Sequence, residues 1–359
     1  MLSESRVRRV RVERHNSVGA LEADWDALAD RAGALPWLRP GWVRAWHDAF
    51  GRGVLEIVAL RRDDGRLTAL AALERRGARL HSTTNWHTPE FELLSEDDEA
   101  RRELVAVLLA DRPQRLELSF APRSGGGLDE VRSMGRAKRF RVLERVVERS
   151  PYVPVESSWE SYLASRRRDL VKDLARRRRR LGEQGEVTFE LRDGREGLEE
   201  LLVEGFRLES SGWKAENGTA IVSRPNTLRF YTTVASWAAE RGWLRLAFLR
   251  LDGNPLAFEF TLETGGALFN LKGGYDQEWR KFGPGKLLAE DLLRYVFERR
   301  LSSYEFLGSE EPFKLEWTSV CRDRMLLQAF APSPRGLVDW AAYAFGRPLA
   351  KRLLALRQR

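Results

Sequence analysis

The polar and apolar positions along the chain change period in the same order twice. In the first half, helical spacing over Ala20–Arg31 and Gly41–Phe50 gives way to period-two runs at Leu55–Leu60, Arg66–Glu74 and Ala78–His81. Asp63-Asp64-Gly65 and Arg75-Arg76-Gly77 separate these runs and read as hairpin turns. A helical stretch at Glu96–Ala110 and a short strand at Arg115–Phe120 follow. The second half repeats the series with helices at Gly197–Glu209 and Asn226–Arg241, then strands at Trp243–Leu251, Pro255–Glu263 and Ala267–Gly273. A helix at Lys286–Arg300 and a strand at Ser303–Leu307 close it. The repeat predicts an α+β protein of two similar domains, each a mixed, mostly antiparallel sheet flanked by helices. The prolines of Ser150-Pro151-Tyr152-Val153-Pro154 interrupt the pattern. The expected division is therefore 1–150 and 151–333, with 334–359 a C-terminal helix.

The two halves differ where chemistry would sit. After the third strand of the first meander come Thr83-Thr84-Asn85-Trp86-His87-Thr88-Pro89-Glu90, with no glycine. At the matching point of the second stand Lys272-Gly273-Gly274-Tyr275-Asp276, then Arg280-Lys281-Phe282-Gly283-Pro284-Gly285-Lys286. Glycines that open a helix expose backbone N–H groups to an anion, and the helix dipole adds to the attraction. Arg280, Lys281, Phe282, Gly283, Pro284, Gly285 and Lys286 are thus the candidate cradle for a phosphate or pyrophosphate. The same residues also suit a plain strand–turn–helix connection.

Charge sharpens the picture locally. The net charge is +8, yet Arg166–Arg180 alone holds nine basic residues against Asp169 and Asp173. Ser157-Ser158-Trp159-Glu160 supplies a capping box, and Leu163, Leu170, Leu174 and Leu181 fall on one helical face. One helix is expected here, either a solvated basic face or a contact for RNA, anionic lipid or a phosphorylated substrate. The segment Pro334–Arg359 reads as a basic amphipathic helix, packed on the first domain or laid against an anionic membrane. Cys321 is the sole cysteine, and with His15, His47, His81 and His87 it gives no zinc spacing, so no metal is expected. No run is long and apolar enough to span a bilayer, and Met1–Arg14 lacks a signal-peptide core. A cytoplasmic protein is expected, with attachment at the inner membrane face the alternative.

Arg280-x-x-Gly283-x-Gly285 resembles the Gln/Arg-x-x-Gly-x-Gly/Ala motif of the GNAT superfamily, with the meander before it and the helix after it in the family's order. A wider set is similar to the tandem GNAT-like proteins of the cellulose-biosynthesis-associated (CelD-type) group. It comprises Ser211-Gly212-Trp213-Lys214, Gly218-Thr219-Ala220, Phe230-Tyr231, Tyr275-Asp276, Phe306-Leu307-Gly308, Phe313-Lys314 and Trp317. That group is in turn similar in layout to the Fem aminoacyl transferases. The resemblance spans roughly residues 20–330, closely in the second domain and loosely in the first, which looks like a degenerate copy.

The resemblance implies N-acyl transfer from acyl-CoA, such as acetyl-CoA, to a small-molecule or glycan amine in envelope-polysaccharide or natural-product metabolism. Fem likeness implies an aminoacyl-tRNA donor instead, with Arg166–Arg180 as its RNA contact. A catalytically inactive scaffold is the third reading. Amine acylation needs a base and a proton for the departing thiolate. Tyr275 is the candidate donor, and Asp276 or Glu259 the candidate base. Glu259 sits mid-strand among apolar neighbours, where burial would favour a basic carboxylate or where plain alternation would turn it outward. Lys314 resembles the lysine of the Fem-type Phe-Lys pair and would offset negative charge at the catalytic centre. Trp213, Lys214 and Lys272 are the candidate substrate contacts.

Overall fold

The computed structural model describes residues 10–211, 218 and 220–346. The chain forms two compact units, residues 1–148 with 323–359, and residues 149–322.

The first unit contains β1 (Val10–His15), α1 (Glu22–Arg31), α2 (Pro40–Phe50), β2 (Val54–Arg62), β3 (Leu67–Arg76) and β4 (Arg79–Ser82). It continues with β5 (Leu94–Ser95), α3 (Asp98–Ala110), β6 (Arg115–Pro122) and α4 (Leu128–Ala137), and then β7 (Arg141–Pro154) leads out of it. The second unit holds α5 (Trp159–Ala164), α6 (Arg168–Gly182), β8 (Val187–Arg192), α7 (Leu198–Glu209) and α8 (Pro225–Glu240). After these come β9 (Leu244–Leu251), β10 (Asn254–Thr264), β11 (Ala267–Tyr275), α9 (Pro284–Glu298), β12 (Ser303–Glu305) and α10 (Pro312–Leu315). The chain returns to the first unit through β13 (Cys321–Phe330) and α11 (Pro334–Ala341).

Each unit is an α+β layer structure on a mixed sheet. The first sheet runs β1-β2-β3-β4-β6-β13, with β5 beside β3, and only β4 and β6 pair in parallel. The second runs β8-β9-β10-β11-β12-β7, and there β11 and β12 are the parallel pair. At a displacement of 188 residues, the register of β4 against β3 and β6 coincides with that of β11 against β10 and β12. Arg79 faces Arg115 as Ala267 faces Ser303, and Leu73 faces Ser82 as Thr261 faces Asn270. The expected repeat is therefore present in the order of the strands.

The sheet-completing strands depart from the expected division at 333. Residues Arg324–Phe330 of β13 pair with β6, so they complete the first sheet, whereas Tyr152–Pro154 of β7 pair with β12 and complete the second. Met325, Leu327 and Ala329 lie in the first unit's core with Leu116 and Leu118. The apolar alternation of β13 is satisfied equally by either sheet, and only the register partner distinguishes them.

The second unit's core lies on both faces of its sheet. On one, Leu287, Leu288, Leu292, Leu293 and Val296 of α9 pack with Leu249, Ala257 and Leu268 and with Leu170, Leu174 and Leu181 of α6. On the other, Phe206 of α7 meets Phe258 edge-on and Tyr231 of α8 meets Phe260. Ser158 caps α5 by accepting from Ser161 N at 3.2 Å, as a capping signal requires. The helix expected over Arg166–Arg180 is present as α6, but it is not continuous with the capped turn before it. Ser165 ends α5, and α6 restarts at Arg168 after the extended Arg167. Among the described residues no helix is long and apolar enough to cross a membrane.

Candidate active site

α9 begins at Gly283, whose φ of 65° lies in the left-handed region that favours glycine. The 3-10 turn Gln277–Phe282 leads into it, and Gly283 N donates to Arg280 O at 3.0 Å. Lys286 N and Leu287 N both donate back to Gly283 O, and Pro284 carries no N–H. The amide of Gly285, in the helix's first turn, has no intrahelical acceptor to reach. A β-carbon at Gly285 would stand 3.1 Å from Tyr275 Cδ1, so glycine lets Tyr275 rest on the helix start.

The matching helix start in the first unit is different. Asp97 caps α3, accepting from Ala100 N at 2.8 Å, and Asp98 and Glu99 follow in the first turn. The first turn of α9 contains no acidic residue. Carboxylates occupy the positive end of α3 in place of any external anion, while α9 presents its own bare. The loop of the second unit therefore fits a phosphate group, and that of the first does not.

α6 brings further positive charge to this loop. Arg177 lies over Gly283, where a β-carbon would come within 2.7 Å of its Nη1, and it donates to Lys281 O at 3.4 Å. Asp173 accepts from Arg176 at 2.5 Å and from Arg177 at 2.7 Å, and it lies 3.5 Å from Lys286 Nζ. Partial burial pushes the Asp173 carboxyl up, but the hydrogen bonds from Arg177 and Arg176 outweigh this and hold it below the ordinary aspartate range. Lys286 also pairs with Glu316. Arg178 anchors α6 to α9 through Glu290 at 2.7 Å and Asp291 at 2.8 Å.

The candidate cradle residues thus divide. Gly283, Gly285, Arg280, Lys281 and Lys286 remain at the loop surface or partly exposed, whereas Pro284 and Phe282 are buried. Phe282 serves as a core plug, with Lys281 Nζ 5.0 Å and the Arg180 guanidinium 5.7 Å from its ring centroid.

A second feature lies where β11 and β12 part. Their parallel pairing covers only Ala267–Phe269 against Ser303–Glu305, and β11 continues to Tyr275 without β12. A bulge at Leu271 shifts the register from Phe260–Lys272 to Thr261–Asn270. At this fork, Tyr304 Oη donates to Glu259 Oε2 at 2.6 Å, and Asn270 Nδ2 donates to the same oxygen at 2.8 Å and to Tyr304 Oη at 3.2 Å. Glu259 is therefore buried, not turned out to solvent, and its apolar surroundings contain two donors. Burial first, and then the charge and hydrogen bond of Glu259, push the Tyr304 phenol well above its ordinary value, so it stays a donor.

The carboxylate can only accept, so the amide nitrogen of Asn270 must face Glu259. Its Oδ1 is then buried, with no hydrogen-bond partner among the described residues. At the 188-residue displacement, Glu259, Asn270 and Tyr304 correspond to Ala71, Ser82 and Leu116, so the first unit has no such network.

The remaining candidates take up other places. Asp276 caps the turn that follows β11, its Oδ1 accepting from Glu278 N at 3.0 Å. Lys314 is buried, and its Nζ donates to Leu307 O at 2.8 Å and Ser309 O at 3.2 Å. It braces the turn after β12, where Leu307 and Gly308 both adopt positive φ. Lys272 faces the opposite side of the sheet from Glu259, with its Nζ 5.9 Å from the Tyr231 ring centroid. Trp213 and Lys214 lie outside the described residues. Asn270, Tyr304, Asp173 and Arg177 were not singled out from sequence. Alignment of the two halves at 188 residues is the signal that exposes the first two. Among the described residues no three His, Cys, Asp or Glu side chains group to hold a metal.

Residues 165–315 match the acetyltransferase (GNAT) domain family. A comparison with curated protein sequences gives no significant match. Among solved structures, the chain is similar to the C-terminal domain of a putative lysylphosphatidylglycerol synthetase from Agrobacterium fabrum. That match has a TM-score of 0.55 and 13% identity, over 91% of this chain and 96% of the other. FemX matches with a TM-score of 0.56 and 13% identity, over 88% and 96% of the two chains. L-PGS from Bacillus licheniformis matches with a TM-score of 0.51 and 13% identity, over 89% and 98%. The fold is GNAT-like, with two such units in tandem.

Proposed function

We propose that the second unit transfers an acyl group from acyl-CoA to an amine acceptor, as a tandem GNAT-like enzyme of the CelD type. The observation that carries this reading is the bare start of α9, ringed by cations, next to the fork that holds Glu259, Asn270 and Tyr304. Gly283, Gly285, Arg177 and Lys281 would hold the donor's pyrophosphate, with Lys286 drawn from its carboxylate partners. Bound acyl-CoA supplies an activated thioester carbonyl. The acceptor nitrogen forms the new C–N bond as the C–S bond breaks. Glu259, fixed by Tyr304 and Asn270, takes the proton that the nitrogen loses. Tyr275, resting on Gly285, gives its proton to the departing sulfur. Lys314 acts by holding the Leu307–Gly308 turn at the edge of the fork. In this reading the first unit is a degenerate copy.

Isothermal titration with CoA and acetyl-CoA, on wild type and Gly283→Trp, tests the donor assignment. Binding by wild type that the substitution removes is the expected result. No binding, or binding that survives the substitution, overturns it.

A second reading rests on α6, whose Arg168, Lys172, Arg176, Arg179 and Arg180 are exposed beside the same loop. Such a surface suits an RNA phosphate backbone, as an aminoacyl-tRNA donor would need. Filter binding of charged tRNA with a steep salt dependence, together with silent CoA titrations, would favour it.

A further inference from the structure

The short helix α11 is turned inside out relative to an ordinary surface helix, which buries its apolar stripe and solvates its charges. Its one acidic residue, Asp339, is only 8% exposed and points into the first unit. There it accepts from Arg79 Nε at 3.1 Å, Gln114 Nε2 at 3.3 Å and Arg115 Nη1 at 3.4 Å. One turn on, Tyr343 stacks under the Arg115 guanidinium, 4.4 Å from its ring centroid. Gly336, Asp339 and Tyr343 thus form the docked side.

The opposite side carries Val338, 72% exposed, Phe345, 59% exposed, and beside them Leu337, 42% exposed. Trp340 meets Phe345 edge-on at 5.5 Å and lies under Arg141 at 5.4 Å. Arg335 is exposed on the same helix. Asp339 is the sole acid of residues 334–359, against Arg335, Arg347, Lys351, Arg352, Arg357 and Arg359.

We propose that this outward face of α11 is a docking surface for an anionic lipid bilayer. The Asp339 ion pairs hold the helix so that Val338, Phe345 and Leu337 face outward, where they enter the headgroup boundary. Trp340 sits at the depth that aromatic residues favour, and Arg335 and Arg141 meet the lipid phosphates. Charge complementarity selects this occupant, because the segment's one acid, Asp339, is engaged by the first unit and its other charged residues are all basic.

Co-sedimentation of the full chain with phosphatidylcholine vesicles, with and without added phosphatidylglycerol, tests the proposal. Wild type should pellet with the anionic vesicles, less so as salt rises, and stay in solution with phosphatidylcholine alone. The double variant Val338→Glu/Phe345→Glu should partition about tenfold less, and Val338→Ser alone should fall between. Both variants keep Asp339 and alter only exposed positions, so the melting midpoint should match wild type. Wild type that fails to pellet at low salt overturns the proposal, as does a double variant that pellets equally. Sedimentation velocity showing a lipid-free wild-type dimer that Val338→Glu dissociates also overturns it and gives the face to a second copy.

Discussion

Tyr304 of β12 donates a 2.6 Å hydrogen bond to Glu259 of β10, across the width of the intervening β11. The bond spans the line along which β11 and β12 part, so it ties the buried carboxylate to both sides of the fork. Tyr304→Phe removes one of the donors to Glu259. The variant should lose about 1–3 kcal/mol of stability in chemical denaturation, the range for a buried charged group that loses a partner. Glu259→Gln should abolish acyl transfer in a single-turnover assay with acetyl-CoA while it binds CoA normally. Undiminished turnover in Glu259→Gln would remove it as the base.

Gly283→Asp places at the start of α9 a carboxylate such as Asp97 provides at the start of α3. The left-handed backbone at this position costs a non-glycine residue roughly 1–2 kcal/mol, least for Asp and Asn. The fold should therefore persist, and CoA affinity by calorimetry should drop at least about tenfold, consistent with a carboxylate in the anion's place. Unchanged affinity would separate the helix start from the donor site.

Asp173 competes with any bound phosphate for Arg176, Arg177 and Lys286. Asp173→Asn should tighten pyrophosphate binding several-fold, and Arg177→Ala should weaken it by about tenfold, the worth of one charge-assisted hydrogen bond. Both effects should shrink as salt rises. A weaker Asp173→Asn complex would mean that the carboxylate positions these cations instead of occupying them. Asp173 also predicts an acid effect. Its folded carboxyl titrates below the unfolded one, so its contribution is present above the unfolded value near 3.8 and is lost as pH falls through the folded one. Asp173→Asn should flatten that acid limb of a stability–pH curve.

In the first unit, Glu92 lies half-buried beside Glu90, which pairs with Arg324. Burial, and then the charge of Glu90, push the Glu92 carboxyl up to about 7. A folded value above the unfolded 4.5 means that the folded state keeps a proton the unfolded state releases. Stability contributed here falls as pH rises from 4.5 toward 7 and then levels off. Glu92→Gln should therefore raise stability by up to about 3 kcal/mol at pH 8 and change little below pH 4. Equal gains at both pH values would refute the titration.

The parts of this fold set by near neighbours could be read from the chain directly. Asp63-Asp64-Gly65 and Asp252-Gly253-Asn254 announce the same hairpin in both halves, and both are formed by β2–β3 and β9–β10. Gly283 and Gly285 mark a helix start, the first by its left-handed backbone and the second by its close approach to Tyr275. The site's other half depends on partners distant in sequence. Tyr304 sits in a three-residue strand with no distinguishing motif, and it reaches Glu259 only because β12 inserts parallel to β11. Lys314 stands out in sequence as a charge, yet burial against two carbonyls gives it a bracing position. Arg177 reaches Gly283 because α6 restarts after Ser165 and leans on α9, which a continuous leucine stripe did not foretell.

The placement of β13 in the first sheet has a consequence for synthesis. Every strand of the second sheet lies before residue 306, whereas the first sheet waits for residues 324–330. On the ribosome, where domains fold as they emerge, the unit encoded later can close its sheet before the unit encoded earlier. Until then, the edge of β6 that β13 will cover stays open, and the nascent chain carries an uncovered strand edge for the time taken to translate some two hundred residues beyond it.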